Sequence, residues 1–201
     1  MADATDNRVV SFESEKLVLV DESDREVGYE TKAACHDGQG ILHRAFSLFI
    51  FNDNGELLLQ QRSKNKRLWP GYWANSCCSH PHRGEAMDEA VQRRLKEELG
   101  FTCALEFVYK FQYHAAFGTL GSETELCWVY TGMSFAPVHV NENEIAAWRF
   151  IAPAALDHEM AATPAHFTPW LKLEWQRLRH DFADKLPVAT GEHRRSAKMQ
   201  G

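Results

Sequence analysis

The feature that most constrains the fold is a lone helical stretch set between runs of strand-like sequence. In EAMDEAVQRRLKEELG, residues 85–100, Val91, Leu95 and Leu99 repeat every four residues on one face, and Gly100 supplies a C-terminal stop. Ahead of it lie LVLV, the turn DESD and EVGYET. ILHRAFSLFIF follows, then the turn NDNG and ELLLQQR, where Asn54-Gly55 closes a hairpin. Behind it lie LEFVYKFQYHA, ETELCWVYTGMS and AAWRFIA. TPWLKLEWQRLRHDFADKL then reads as a closing amphipathic helix with Leu171, Trp175, Leu178 and Phe182 as its apolar stripe. Strands, a helix, strands and a helix predict an α+β fold, a mixed β-sheet sandwich flanked by helices. With 201 residues, 44% of them hydrophobic, the chain has material for one good core. The expected organisation is a flexible start at residues 1–10, a single domain over 11–186 and a disordered tail at 187–201.

Several function classes are disfavoured. The opening MADATDNRVV lacks the apolar run of a signal peptide, and no stretch approaches the ~20 apolar residues of a membrane span, so a cytoplasmic chain with no membrane partner is expected. The cysteines, Cys35, Cys77, Cys78, Cys103 and Cys127, are odd in number and lack the paired spacing of zinc knuckles or disulfide scaffolds, which predicts free thiols. A net charge of -6 argues against a nucleic-acid partner, and an anionic ligand needs a local basic patch. QRSKNKRLWPG contains one. NSCCSHPHRGE, residues 75–85, remains ambiguous by itself: adjacent cysteines, a histidine, a glycine and a glutamate suit a metal knuckle, a disulfide, a reactive thiol or a turn.

Ser79 to Phe101 resembles the Nudix box, G-x5-E-x7-R-E-U-x-E-E-x-G-U, with Glu85, Arg93, Leu95, Glu97, Glu98, Gly100 and Phe101 in register. Two positions depart: Ser79 replaces the first glycine and Arg94 replaces a glutamate. That glutamate helps hold the magnesium that activates water in Nudix hydrolases, so its loss argues against hydrolysis and leaves diphosphate recognition. Outside the box, WPGYWANSCCSHP resembles the W-P-G-x-W-x-N-S-x-C-x-H-P signature of the type I isopentenyl-diphosphate isomerases, and the similarity extends from about Leu17 to Leu186.

The resemblance implies a Nudix-type fold and conversion of isopentenyl diphosphate to dimethylallyl diphosphate, with Cys78 at the reactive position and Cys77 at a variable one. It also implies His36, His43, His80, Glu123 and Glu125 as ligands of one divalent ion. The residues themselves are compatible with this. His36 and His43 bracket the turn DGQG, and Glu123 and Glu125, two apart on a strand, project to one face roughly 6–7 Å apart. Three imidazoles and two carboxylates suit a six-coordinate Mg2+, Mn2+ or Zn2+. Carried over likewise are Lys32, Arg62, Lys66 and Arg94 as diphosphate contacts. Glu98 becomes a ligand of a second Mg2+ arriving with the diphosphate.

In the implied reaction a proton adds at carbon-4 and another leaves carbon-2. Cys78 and Glu125 flank the substrate, Tyr113 hydrogen-bonds near the carboxylate, and Trp170 faces the cation at carbon-3. Glu125 with Tyr113 is the expected donor and Cys78 the expected base, its pKa lowered by the metal and the cationic patch. A monomer or weak dimer is expected. Two other readings stay open: a hydrolase of nucleoside diphosphate derivatives, which phosphate release would reveal, and a non-catalytic metal-binding module, which tight metal binding without turnover would reveal.

Overall fold

A computed structural model describes residues 7–187. In chain order the strands and helices are β1 (Lys16–Val20), β2 (Glu26–Thr31), α1 (Lys32–His36), β3 (His43–Phe51), β4 (Leu57–Arg62), β5 (Trp73–Ala74), β6 (Cys77–Ser79), α2 (Met87–Leu99), β7 (Leu105–Ala116), β8 (Ser122–Met133), β9 (Ile145–Ile151), α3 (Pro153–Ala162) and α4 (Pro169–Asp181). The fold is α+β, with a mixed sheet between helices, as the order of patterns predicts. Among the described residues, no helix is long and apolar enough to cross a membrane. The expected tail at 187–201 lies outside the described residues except for Pro187.

β3 organises the molecule. Its run AFSLFIF is apolar on both faces because both are covered. Phe46, Leu48 and Ile50 pack with Ala90, Val91, Leu95 and Leu99 of α2, and Phe49 and Phe51 pack with Leu171, Trp175 and Leu178 of α4. Burial of each such side chain stabilises the fold by about 1.5–3 kcal/mol. Phe46, Ser47 and Leu48 pair with β6 antiparallel and with β8 in parallel, so β6 and β8 lie on opposite edges of β3.

The hairpin turn forms at residues 52–55, with the Gly55 amide donating to Asn52 O at 3.0 Å and Gly55 at φ 71°. The paired strands nevertheless separate after Phe51 and Leu57, because β8 and β6 occupy the edges of β3 while β9 and β5 pair with β4.

α2 begins at Met87, leaving Glu85 outside the helix to bind Arg93 at 2.6 Å, and Gly100 ends it in the left-handed region at φ 80°. α4 is shorter than the expected 168–186. Pro169 starts it, Phe182 leaves helical geometry, and a single 3-10 turn follows at 183–185. The pattern did not reveal α3, since Leu156 is its only fully buried residue and no apolar stripe marks it. α1, five residues capped by Thr31, is too short to show a period.

Candidate active site and metal centre

Strand register brings the expected ligands together. His43 pairs with Glu125 across β3 and β8, and Glu125 with Tyr113 across β8 and β7, which sets three side chains in one row. Glu123 lies two residues back on the same face of β8, α1 contributes His36, and His80 follows β6. One ligand atom from each of His36, His43, His80, Glu123 and Glu125 lies within 4.8 Å of all the others, and all five residues are buried.

The donor set fits a cation. His36 Nδ1 is 2.6 Å from Lys32 O and His43 Nδ1 is 2.7 Å from Ile41 O, which leaves both Nε2 atoms turned inward. Glu123 Oε2 is 2.7 Å from His36 Nε2 yet accepts no hydrogen bond, so both atoms face a common point more than each other. His80 Nε2 lies 3.2 Å from His43 Nε2 and 3.0 Å from Glu125 Oε1. Burial and the other two imidazoles push His80 well below the usual histidine range, keeping it neutral and ready to ligate. Burial also opposes charge on His36, but the adjacent Glu123 carboxylate outweighs it and raises His36 to about 9.

Beside this cluster lies a cavity of about 270 Å³, lined by Cys78, Tyr113, Glu125 and Trp170, by Arg62 next to Trp170 and, toward its cationic end, by Lys32, Lys66 and Arg94. Adjacent positions on β6 point to opposite faces. Cys77 enters the core under α2, and Cys78 enters the cavity wall. The Cys78 thiol donates to Asn75 Oδ1 at 2.8 Å and lies 3.5 Å from Ser47 Oγ. Asn75 Nδ2 donates to Leu48 O and Cys77 O, which fixes the amide oxygen toward the sulfur.

The expected lowering of the Cys78 pKa needs correction as far as protein groups go. Burial pushes the thiol well above its usual range, Glu174 and Glu125 add to this, and Arg62 is a smaller opposing influence. Glu125 moves the other way. Burial opposes its ionisation, but His43 and the Tyr113 hydroxyl, which donates to Oε2 at 2.6 Å, hold the carboxyl below its usual range.

The cationic end is held by acids. Glu144, buried and unanticipated, pairs with Lys66 and lies 3.4 Å from Arg94, and these cations outweigh burial to keep it ionised. Arg94 is almost fully buried, paired with Glu98 and donating to Val10 O at 2.7 Å. Glu98 therefore stands behind Arg94 and is not among the residues lining the cavity. Arg62 donates to Leu68 O at 2.8 Å, and its guanidinium lies 5.1 Å from the Trp170 ring centroid. Burial and nearby Lys66 lower the pKa of Lys32, whose ammonium contacts Ser11 Oγ. Asn7 and Arg8 are held to the loop after β8 through Asn143 and Asn141, which places Val9 and Ser11 at this end of the cavity.

Sequence reasoning assigned no role to Ser47, Asn75, Glu144 or Glu174. Asn75 left a signal as a fixed position of the WPGYWANSCCSHP signature, and Glu174 left one as a carboxylate one helical turn after Trp170 on the apolar face of α4.

Residues 41–171 match the NUDIX domain model. A Photorhabdus laumondii protein described as Isopentenyl-diphosphate Delta-isomerase 1 is 42% identical over 174 residues, covering 86% of this chain and 99% of that protein. An Isopentenyl-diphosphate Delta-isomerase of Burkholderia multivorans is 44% identical over 156 residues, covering 78% of this chain and 88% of that protein. A crystal structure of a Deinococcus radiodurans protein superposes with TM-score 0.66 at 26% identity, covering 81% of this chain and 98% of that one. A MutT protein from Methanosarcina mazei, at TM-score 0.57 and 19% identity over 70% of this chain and 94% of that one, shares the fold.

Proposed function

The chain belongs to the NUDIX domain family and, within it, to the isopentenyl-diphosphate Delta-isomerases, and from that premise we infer how its cavity works on the substrate. The protein is an isomerase that moves a carbon–carbon double bond, interconverting isopentenyl and dimethylallyl diphosphate. The observation that carries the site assignment is that Cys78 and the Tyr113–Glu125 pair, presented by strands on opposite edges of β3, line one cavity with four cations, of which Lys32, Lys66 and Arg94 gather near Glu144 and Arg62 lies against Trp170. A substrate with its diphosphate at Lys32, Arg62, Lys66 and Arg94 then extends its alkene toward Cys78 and Glu125.

An unactivated alkene is a weak base, so protonation needs a nearby acid, exclusion of water and a polarisable wall. Cys78 and Glu125, the latter steadied by Tyr113, move the two protons. The reaction is reversible, so each donates in one direction and accepts in the other. Protein groups alone leave the proton on Cys78 and Glu125 ionised, the reverse of the loading expected for a forward reaction started by Glu125. Trp170, which lines the cavity, is the group proposed to face the carbon-3 cation, an interaction worth about 2 kcal/mol when desolvated. His36, His43, His80, Glu123 and Glu125 would hold Mg2+, Mn2+ or Zn2+, whose charge would tune the proton affinity of Glu125. The diphosphate is proposed to arrive with its own magnesium, and Glu98 would meet it once released from Arg94.

The test is turnover of isopentenyl diphosphate in the presence of magnesium. Dimethylallyl diphosphate should form without inorganic phosphate, whereas phosphate as the main product would assign the cavity to hydrolysis. In the same assay Lys66→Ala is expected to raise KM about tenfold or more with kcat little changed, because a diphosphate contact serves ground state and transition state alike. An effect confined to kcat would remove Lys66 from the diphosphate site.

A further inference from the structure

Glu174 is fully buried on the apolar face of α4, beside Leu171, Trp175 and Leu178. A carboxyl in such a place is costly unless a cation or a set of donors meets it. Among the described residues it has no ion-pair partner, and its Oε2 accepts no hydrogen bond. Its Oε1 lies 3.5 Å from Cys127 Sγ, Cys127 Sγ lies 3.5 Å from Ser47 Oγ, and Ser47 Oγ lies 3.5 Å from Cys78 Sγ. Four side chains from α4, β8, β3 and β6 thus form one chain, buried at Glu174, Cys127 and Ser47, that ends at the half-buried reactive sulfur on the cavity wall.

We propose that Glu174 is a positioning residue for Cys78, whose carboxyl acts through Cys127 and Ser47 to turn the Ser47 hydroxyl toward the Cys78 sulfur. The inference rests on the reading of Cys78 given above. Its logic is hydrogen-bond polarity. A neutral Glu174 donates to Cys127, Cys127 donates to Ser47, and Ser47 is left to donate to Cys78, supporting the sulfur whenever it carries negative charge. An ionised Glu174 accepts from Cys127, Ser47 then donates to Cys127, and the chain is reversed, so Cys78 loses its donor.

The groups that face Glu174 are Ser47 on β3, Cys78 on β6, Cys127 and the more distant Glu125 on β8, and Tyr109 on β7, whose hydroxyl donates to the Glu174 backbone carbonyl at 3.2 Å. Burial, with Glu125 adding and Ser47 and Cys127 opposing, raises the Glu174 carboxyl to about 8, so it is neutral at pH 7. The sign follows. The donor chain is intact below about 8 and is lost as pH rises through that value.

The test compares kcat against pH on isopentenyl diphosphate for the native protein, Glu174→Gln, Glu174→Leu, Ser47→Ala and Cys78→Ala, each with its full metal content. The native kcat should fall as pH rises through about 8. Glu174→Gln cannot ionise yet still donates. It should keep at least about half the native kcat at pH 7 and show no such fall. Glu174→Leu should lose about tenfold in kcat with KM within about twofold. Its Tm should not drop, because an apolar side chain suits that stripe. Ser47→Ala should match Glu174→Leu, and the double variant should be no slower than either single one. Native kcat in Glu174→Leu, additive losses, or an alkaline fall that persists in Glu174→Gln would overturn the inference. Native kcat in Cys78→Ala would overturn the reading of Cys78 and this inference with it.

Discussion

Cys78→Ala is expected to remove turnover, by at least about a hundredfold, while leaving metal content and thermal stability near native. The thiol lines the cavity and is not one of the five converging side chains, so its loss would take away the proposed proton carrier without touching the candidate metal ligands. The neighbouring Cys77→Ala supplies the contrast. Cys77 lies in the core beneath α2, on the other face of β6, and its truncation removes one sulfur from packing. It should cost some stability and leave kcat within about threefold. Equal losses in the two variants would remove the distinction that the strand alternation makes.

Truncating any one of the three histidines is expected to have nearly as large an effect by a different route. His36→Ala, His43→Ala and His80→Ala should each lower bound metal and kcat together, by at least about a hundredfold in kcat, since even outer-shell partners of a metal commonly matter by 10–100-fold. Stoichiometry per chain, measured on protein dialysed against a chelator and reloaded, reads metal occupancy independently of activity. A variant that binds a full equivalent and turns over normally would take its residue out of the centre. Because the ligands must be deprotonated and His36 is held at about 9 without metal, loading should release protons and weaken as pH falls.

Short-range periodicity made part of this site legible: alternation along β8 puts Glu123 and Glu125 on one face, and the period of α2 puts Val91, Leu95 and Leu99 inward. Cys78 as the reactive cysteine, Cys77 as the variable one and the three histidines as ligands came from the resemblance to the isomerase signature, and alternation along β6 is what then sets the two cysteines on opposite faces. The departure at Arg94 also had a physical reading. The structure shows its guanidinium buried between Glu98 and Glu144, where a cation completes a charge network that a glutamate could not. What escaped depends on contacts between distant segments. That β3 and β8 run parallel, placing His43 opposite Glu125, is written in no local pattern. Nor does NENEIAAW reveal that Glu144 reaches Lys66, 78 residues away in sequence. Ser47 reads as a small polar break in an apolar strand until β6 and α4 are laid beside it.

The most direct measurement is NMR of the product formed from isopentenyl diphosphate in deuterated water with magnesium present. If Cys78 and Glu125 with Tyr113 exchange their protons with solvent and deliver one to carbon-4, the native protein should form dimethylallyl diphosphate with deuterium in a methyl group. Cys78→Ala should form neither product nor label. Dimethylallyl diphosphate carrying no deuterium in that methyl, or release of inorganic phosphate or pyrophosphate as the main event, would contradict the account.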